Sequence, residues 1–285
     1  MPTQPMTDTL NTPLKSTSPL TRAARLALMG VHFLYGFYLL AFRYRKLDRT
    51  AQVRLARRWS LRMLKVLGIE VVMRGEWPGE YPANTLMVAN HISWLDIFAL
   101  SSQTMTRFIA KMEIRHWPVV GWLVHAGGTL FIDRTNRRDA SRVNQIMADA
   151  LQSGDCMAVF PESTTSEGNV LLPFKSSLFE SAILAGSRVQ PVTLRYLDAN
   201  GIPTTDPSYA GDTTFRESLA AILRHKVIRV EVTFGESLAA GTPPYDSRFA
   251  LAEASRREVA AALRLSRDRP DTDGLSPLDP QAEVL

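Results

Sequence analysis

His91 and Asp96 stand five residues apart in the stretch "VANHISWLD". An imidazole held at one ring nitrogen by a carboxylate has a fixed tautomer. Its other nitrogen is then free to act as a general base near neutral pH. The same residues also fit a capping box. Ser93 would be the N-cap of a helix, and Asp96 would return a hydrogen bond to the N–H of the cap residue. Capping accounts for Asp96 but not for His91, which falls in a turn between an apolar strand and a helix.

Three further blocks carry groups suited to chemistry. In "VFPESTTSEG", Glu162, Ser163 and Thr164 follow directly on an apolar strand. There Glu162 reads as a buried helper or a hydroxyl-binding acceptor, against the plainer role of a turn or cap residue. In "GGTLFIDRTNRRD" a strand ends at Asp133 and Arg134, and the guanidinium suits bidentate clamping of an anion. In "VQPVTLRY" an apolar strand is interrupted by Pro191, which implies an edge or a kink. Cys156, the single cysteine, lies in "CMAVF" and reads as a small core residue rather than a nucleophile. One cysteine permits no internal disulfide, suggests a reducing compartment and leaves no zinc cluster. His116 and His125 lack metal-ligand spacing, so no metal site is expected.

The elements that must hold these groups follow from periodicity. Apolar runs at Ile69–Met73, Leu86–Ala89, Arg107–Ala110, Thr129–Ile132, Met157–Phe160, Val189–Leu194 and Val227–Thr233 read as strands. Helical patterns fall near Ser93–Ser101, Arg138–Gln152, Ser176–Ala185, Phe215–Leu223 and Phe249–Leu263. Such alternation predicts an α/β fold, with helices flanking a mostly parallel central sheet. In such folds functional groups gather at the carboxyl ends of strands, where His91, Arg134 and Glu162 all fall. Trp117, Val119, Val120, Trp122 and Leu123 read either as ordinary packing or as an interfacial lip or acyl-chain wall.

The 285 residues are 45% hydrophobic and 21% charged, which excludes wholesale disorder. The net charge of +5 points to an anionic partner. Residues 1–20 are rich in Pro, Ser and Thr and read as a disordered leader, and 266–285 as a disordered tail. Between Leu26 and Phe42 no residue carries a formal charge. As a helix this run is roughly 25 Å long, against a hydrocarbon core of roughly 30 Å. It is expected to span with thinning, to re-enter or to lie at the interface, the alternative being a buried core helix. Arg43, Arg45, Lys46, Arg49, Arg54, Arg57 and Arg58 follow it, which puts that side in the cytoplasm. Arginines interleaved with leucines, Trp59 and Met63 suit a basic amphipathic helix on anionic lipid. Nucleic acid is not expected, because no recognition motif accompanies the charge. The expected organisation is thus a leader, membrane-associating helices over 21–67, one catalytic domain over 68–265 and a tail.

Taken together the four blocks resemble the glycerolipid acyltransferase family, the bacterial 1-acylglycerol-3-phosphate acyltransferases and their relatives. The matching signatures are Asn90-His91 with Asp96, Phe131-Ile132-Asp133-Arg134, Phe160-Pro161-Glu162-Ser163-Thr164 and Val189-Gln190-Pro191-Val192. They occur in the family order over about Leu86–Arg195. Two positions depart from the pattern: Ser163 replaces the usual Gly, and Thr165 replaces an Arg that helps hold the acceptor phosphate. The continuation "TTSEGNVLLPFKSSLF" looks like a branch that includes lyso-ornithine lipid acyltransferases.

The resemblance implies transfer of an acyl group from acyl-CoA or acyl carrier protein to the free hydroxyl of a lysolipid, with no further cofactor. His91 is the implied base and Asp96 its orienting carboxylate. Glu162, Ser163 and Thr164 would position the acceptor, and Arg134 and Lys175 its head group. The expected acceptor is 1-acyl-sn-glycerol-3-phosphate, with lyso-ornithine lipid as the alternative. The expected location is a bacterial inner membrane, with the catalytic domain facing the cytoplasm. A lipid hydrolase using the same pair, or a lipid carrier without activity, are the rival readings.

Overall fold

The computed structural model describes residues 16–111, 130–132 and 137–267. Arg134, Asp133, His116, His125, Trp117 and Trp122 lie outside them, as do most of the expected leader and nearly all of the tail. Among the described residues one sheet has the order β1 (Ile69–Gly75), β7 (Ile228–Phe234), β6 (Arg188–Leu197), β2 (Thr85–Ala89), β5 (Cys156–Val159), β3 (Arg107–Lys111) and β4 (Leu130–Ile132). A short β8 (Leu238–Ala239) pairs antiparallel with β6. Strands β6, β2, β5, β3 and β4 run parallel to one another. The pair β1 and β7 is parallel within itself and opposed to β6. The mostly parallel sheet expected from the alternation is what forms.

Both faces of the central strands are covered, which is why β2 reads as an unbroken apolar run. Met87 and Ala89 face a layer built by α2 (Arg49–Leu67), α3 (Asp96–Gln103) and α6 (Phe215–Arg224), where Met63, Leu64, Leu100 and Ile222 are fully buried. Leu86 and Val88 face α4 (Arg137–Gln152), α5 (Glu180–Ala185) and α7 (Arg248–Arg267), meeting Met147, Leu151, Ala182 and Leu251. Cys156 lies inside the first layer, and burial pushes its thiol pKa up, as suits a small core residue.

Several local expectations change. Pro191 is on no edge, since β6 lies between β2 and β7. On one side β6 pairs with β8 at Arg188–Val189 and with β7 from Val192 onward. Pro191 falls at this exchange of partners, where a missing N–H leaves no gap in either ladder. The helix expected from Ser93 begins at Asp96, because the preceding residues form a turn that wraps the Asp96 carboxylate. The apolar N-terminal run belongs to a longer helix, α1 (Pro19–Phe42), capped by the Ser18 hydroxyl on the Thr21 N–H, with proline in its first turn. Its start falls inside the expected leader and is held there. The Thr17 N–H and hydroxyl donate to Arg224 and Leu223 carbonyls at the end of α6.

Helix α1 is long and apolar enough to cross a membrane, and most of it is exposed. It packs on α2 through His32 and Gly36, with the His32 ring stacked 5.0 Å from that of Trp59. Its start is tied to the sheet and its flanking helices, and the chain beyond its end is tied there through α2. Near its start the Arg25 guanidinium donates to the carbonyls of Leu67, His225 and Lys226. Beyond its end, Arg49 at the head of α2 pairs with Asp155, just before β5, and donates to Tyr81. Arg49 and Arg57, counted on sequence with the lipid-facing charges, therefore serve packing, since Arg57 pairs with Glu80. Arg54, Arg58, Arg62 and Lys65 are exposed, and their spacing puts them on one face of α2.

Candidate active site

The candidate residues meet where β2 and β5 end side by side. The chain leaves β2 through Asn90, whose side chain extends the ladder with its amide. Its Nδ2 donates to the Leu194 carbonyl at 3.0 Å, and its Oδ1 accepts from the Leu194 N–H at 2.7 Å. A peptide-like pairing with β6 thus fixes the residue before His91. His91 then turns out of the sheet, and its Nδ1 lies 2.8 Å from Asp96 Oδ2. The His91 side chain keeps 21% of its surface exposed while that of Asp96 keeps none.

Oxygen Oδ2 of Asp96 accepts from two backbone N–H groups as well, Ile92 at 2.7 Å and Ser93 at 2.9 Å. Oδ1 accepts from the Tyr196 hydroxyl at 2.7 Å. Only half of the capping box forms. Asp96 receives the Ser93 N–H as expected, but the Ser93 hydroxyl accepts from the Leu95 N–H at 3.3 Å instead of capping the helix. With Nδ1 donating to a buried acceptor, Nε2 is the imidazole nitrogen left with a lone pair. The ring is also held flat against Phe160, 4.0 Å away and 10° from parallel, and Phe160 stacks in turn on Phe108.

Glu162 approaches the same turn from β5. Its Oε1 accepts from the His91 N–H at 2.7 Å and its Oε2 from the Leu172 N–H at 2.9 Å. Each oxygen thus holds one backbone N–H, a geometry that fits the buried-helper reading and leaves a second lone pair on each oxygen. Burial raises the Glu162 pKa, and these two hydrogen bonds only partly oppose the rise. Burial likewise, with Asp96 adjacent, holds the Tyr196 phenol well above its usual range.

Ser163 sits in the left-handed region at φ 60°, which explains why glycine suits this position. Thr164 is exposed on the same turn, and Lys175, also exposed, is held beside it by its own N–H on the Pro161 carbonyl at 2.9 Å. Residue 165, where an arginine was expected from the family pattern, is a threonine whose hydroxyl donates to the Tyr209 carbonyl. The loop after Glu162 folds back over His91. The Ser166 N–H donates to the His91 carbonyl at 2.8 Å, and Gly168, at φ 81°, packs so tightly on Ile92 that a Cβ would collide with its side chain. Arg134 lies outside the described residues.

Sequence reasoning missed Tyr196, the ladder-like role of the Asn90 amide and the 208–209 loop. Tyr196 gave a signal, since a tyrosine on the inward face of a buried strand needs a partner for its hydroxyl. Nothing local said that the partner would be Asp96.

The site can withdraw a proton from a group presented to Nε2 and stabilise the resulting imidazolium on Asp96. Residues 65–195 match the family model described as Acyltransferase. The chain is 41% identical over 197 residues to the 1-acyl-sn-glycerol-3-phosphate acyltransferase of Neisseria gonorrhoeae, covering 69% of this chain and 75% of that protein. It is 38% identical over 201 residues to the lyso-ornithine lipid O-acyltransferase of Brucella abortus, covering 65% of this chain and 74% of that one. Its fold matches the crystal structure of the 1-acyl-sn-glycerophosphate acyltransferase PlsC from Thermotoga maritima, with TM-score 0.63 and 22% identity over 88% of this chain and 99% of that one.

Proposed function

Because the chain belongs to the acyltransferase family and is an O-acyltransferase of the 1-acylglycerol-3-phosphate type, we propose that it acylates 1-acyl-sn-glycerol-3-phosphate to phosphatidic acid at a membrane surface. The donor is an acyl thioester, acyl-CoA or acyl carrier protein. The observation that carries the mechanism is the 2.8 Å contact between His91 Nδ1 and the buried Asp96 carboxylate, with the His91 side chain still 21% exposed.

Nε2 of His91 takes the proton of the acceptor hydroxyl while its oxygen attacks the thioester carbonyl. The tetrahedral adduct collapses with loss of the thiolate, and the imidazolium returns the proton to that sulfur. The hydroxyl hydrogen thus ends on the free thiol, and no acyl-enzyme forms. Asp96 stabilises the imidazolium in between. Glu162 acts on the backbone that carries His91. Ser163, Thr164 and Lys175 border the space for the head group, and Arg134, outside the described residues, is the further cation the resemblance assigns to it.

Membrane association rests on α1 and α2. Leu28, Val31, Leu34 and Phe42 of α1 are exposed apolar side chains, and Arg54, Arg58, Arg62 and Lys65 of α2 are exposed cations. The start of α1 is held on the helix Phe215–Arg224, and the chain after its end turns into α2 and returns to the same body through Arg49–Asp155, so α1 and α2 form a hairpin docked on one side. We therefore read α1 as lying in one leaflet, with the basic face of α2 on anionic head groups. In a bacterial cell this is the cytoplasmic face of the inner membrane.

A second acceptor is favoured by one observation. Thr165 stands where the family pattern has a phosphate-holding arginine, and its hydroxyl is tied to Tyr209. A less anionic lysolipid, such as lyso-ornithine lipid, fits a pocket short of that cation. Acyl transfer by the purified protein to both acceptors, in wild type and Thr165→Arg, separates the readings. Higher kcat/KM for 1-acyl-sn-glycerol-3-phosphate supports the proposal. Preference for lyso-ornithine lipid, shifted toward the phosphate acceptor by Thr165→Arg, overturns the acceptor and keeps the chemistry.

A further inference from the structure

The hydrogen bonds to Asp96 differ in origin. The imidazole of His91 and the N–H groups of Ile92 and Ser93 all come from the turn that leads into Asp96 itself. The fourth comes from Tyr196 on β6, 100 residues along the chain. We propose that Tyr196 is a positioning residue of the acyl-transfer centre, whose phenol sets how strongly Asp96 holds the protonated form of His91. This rests on the His91–Asp96 reading above.

Oδ2 already serves three donors, so the carboxylate cannot turn without breaking them. Its other oxygen faces the core, where Tyr196 is the donor that meets it. The phenol is 2% exposed and packed in the same apolar layer as Leu95 and Ala99. Two residues earlier on the same face of β6, the Leu194 backbone holds the Asn90 amide. Strand β6 thus clamps the turn on both sides of His91, through Asn90 before it and Asp96 after it.

The electrical consequence follows from competition for one negative charge. When His91 takes up the substrate proton, an imidazolium forms against Oδ2. The phenol donates to the same carboxylate and draws charge toward Oδ1. Removing it leaves more charge facing the imidazolium, so His91 keeps its proton to higher pH and the free base becomes scarcer. The phenol itself stays protonated, since burial and Asp96 both oppose its ionisation. Among the described residues, the titratable side chains that meet the pair are Tyr196 and Glu162, the latter through the His91 N–H. Glu162 shares no hydrogen bond with Tyr196: its oxygens accept from the His91 and Leu172 N–H groups.

The test is the pH dependence of kcat/KM for acyl transfer in wild type, Tyr196→Phe, and protein carrying 3-fluorotyrosine at 196. Fluorination makes the phenol a stronger donor at nearly constant shape. In Tyr196→Phe the acid limb should move up by about one pH unit, a tenfold change in proton affinity. Above that limb, where His91 is the free base in both proteins, this effect should not lower the plateau, and KM for the lysolipid should be unchanged. In the fluorinated protein the limb should move down. Loss of packing alone would lower the rate equally at all pH values. Acid limbs that coincide with wild type in both proteins therefore overturn the inference, however slow Tyr196→Phe is. If Tyr196→Phe does not fold, the fluorinated protein decides alone. His91→Ala in the same assay separates the two layers. Activity there sinks the pair itself, whereas inactivity there with no shift at 196 sinks only the role of Tyr196.

Discussion

Replacing Asp96 by asparagine separates charge from shape at the centre of the site. The amide oxygen can still accept from His91, Ile92 and Ser93, whose donors now lie 2.7–2.9 Å from Oδ2. The amide nitrogen then faces the Tyr196 oxygen, which can accept where it formerly donated. Geometry is therefore largely kept, and what is lost is the charge. Two backbone hydrogen bonds change from charge-assisted to neutral, a loss of about 1 kcal/mol each. The saving from no longer burying an ion opposes it. The fold should lose no more than about 2 kcal/mol, a fall in Tm of roughly 4–8 °C for a domain of this size. Catalysis should lose far more. An imidazolium forming beside a neutral amide lacks the stabilisation that makes His91 a base, and kcat should fall by about 10³-fold. The assay is thiol release from an acyl thioester in the presence of lysolipid, with Tm followed by near-UV circular dichroism. An Asp96→Asn protein that retains more than a tenth of wild-type kcat would refute the charge argument.

Ser163→Gly relieves a left-handed residue. Strain of about 1–2 kcal/mol exceeds the extra chain entropy of glycine, about 0.5–1 kcal/mol, so thermal unfolding should show a net gain of about 0.5–1 kcal/mol; a lower Tm would mean that the serine side chain is needed. Glu162 has a folded pKa raised by burial, so its contribution to stability falls as pH rises from the ordinary carboxylate value through the folded one. In Glu162→Gln that element of the Tm-versus-pH curve between about pH 4 and the raised value should vanish, whereas identical curve shapes would contradict the buried-charge account. Converting Arg54, Arg58 and Arg62 together to alanine should weaken binding to anionic vesicles by about 10²-fold at low salt, at about 1 kcal/mol per charge. Little change in co-sedimentation would take α2 off the membrane surface.

Much of this was legible in the chain because it was local. Strands covered on both faces, such as Leu86–Ala89, show as unbroken apolar runs, and the His91–Asp96 spacing brings two chemical groups to one turn without help from elsewhere. What was not legible depended on distant partners. Asp96 looked like a helix cap because sequence shows only its near donors, and Tyr196 lies on another strand. Pro191 suggested an edge because sequence cannot show that β6 changes neighbours at that residue. Arg49 and Arg57 looked like lipid-facing cations, yet their partners at Asp155 and Glu80 appear only once the helices dock. The start of α1 was hidden in a Pro- and Ser-rich segment. Its Ser18-Pro19 pair is the ordinary opening of a helix.

The central claim is that His91 is the base for direct transfer between two lipids. A single-turnover experiment with labelled acyl thioester, lysolipid and His91→Ala tests it most directly. The account predicts no acylated lysolipid above the uncatalysed rate, with unchanged Tm and vesicle binding. Product formation by His91→Ala within tenfold of wild type would contradict it.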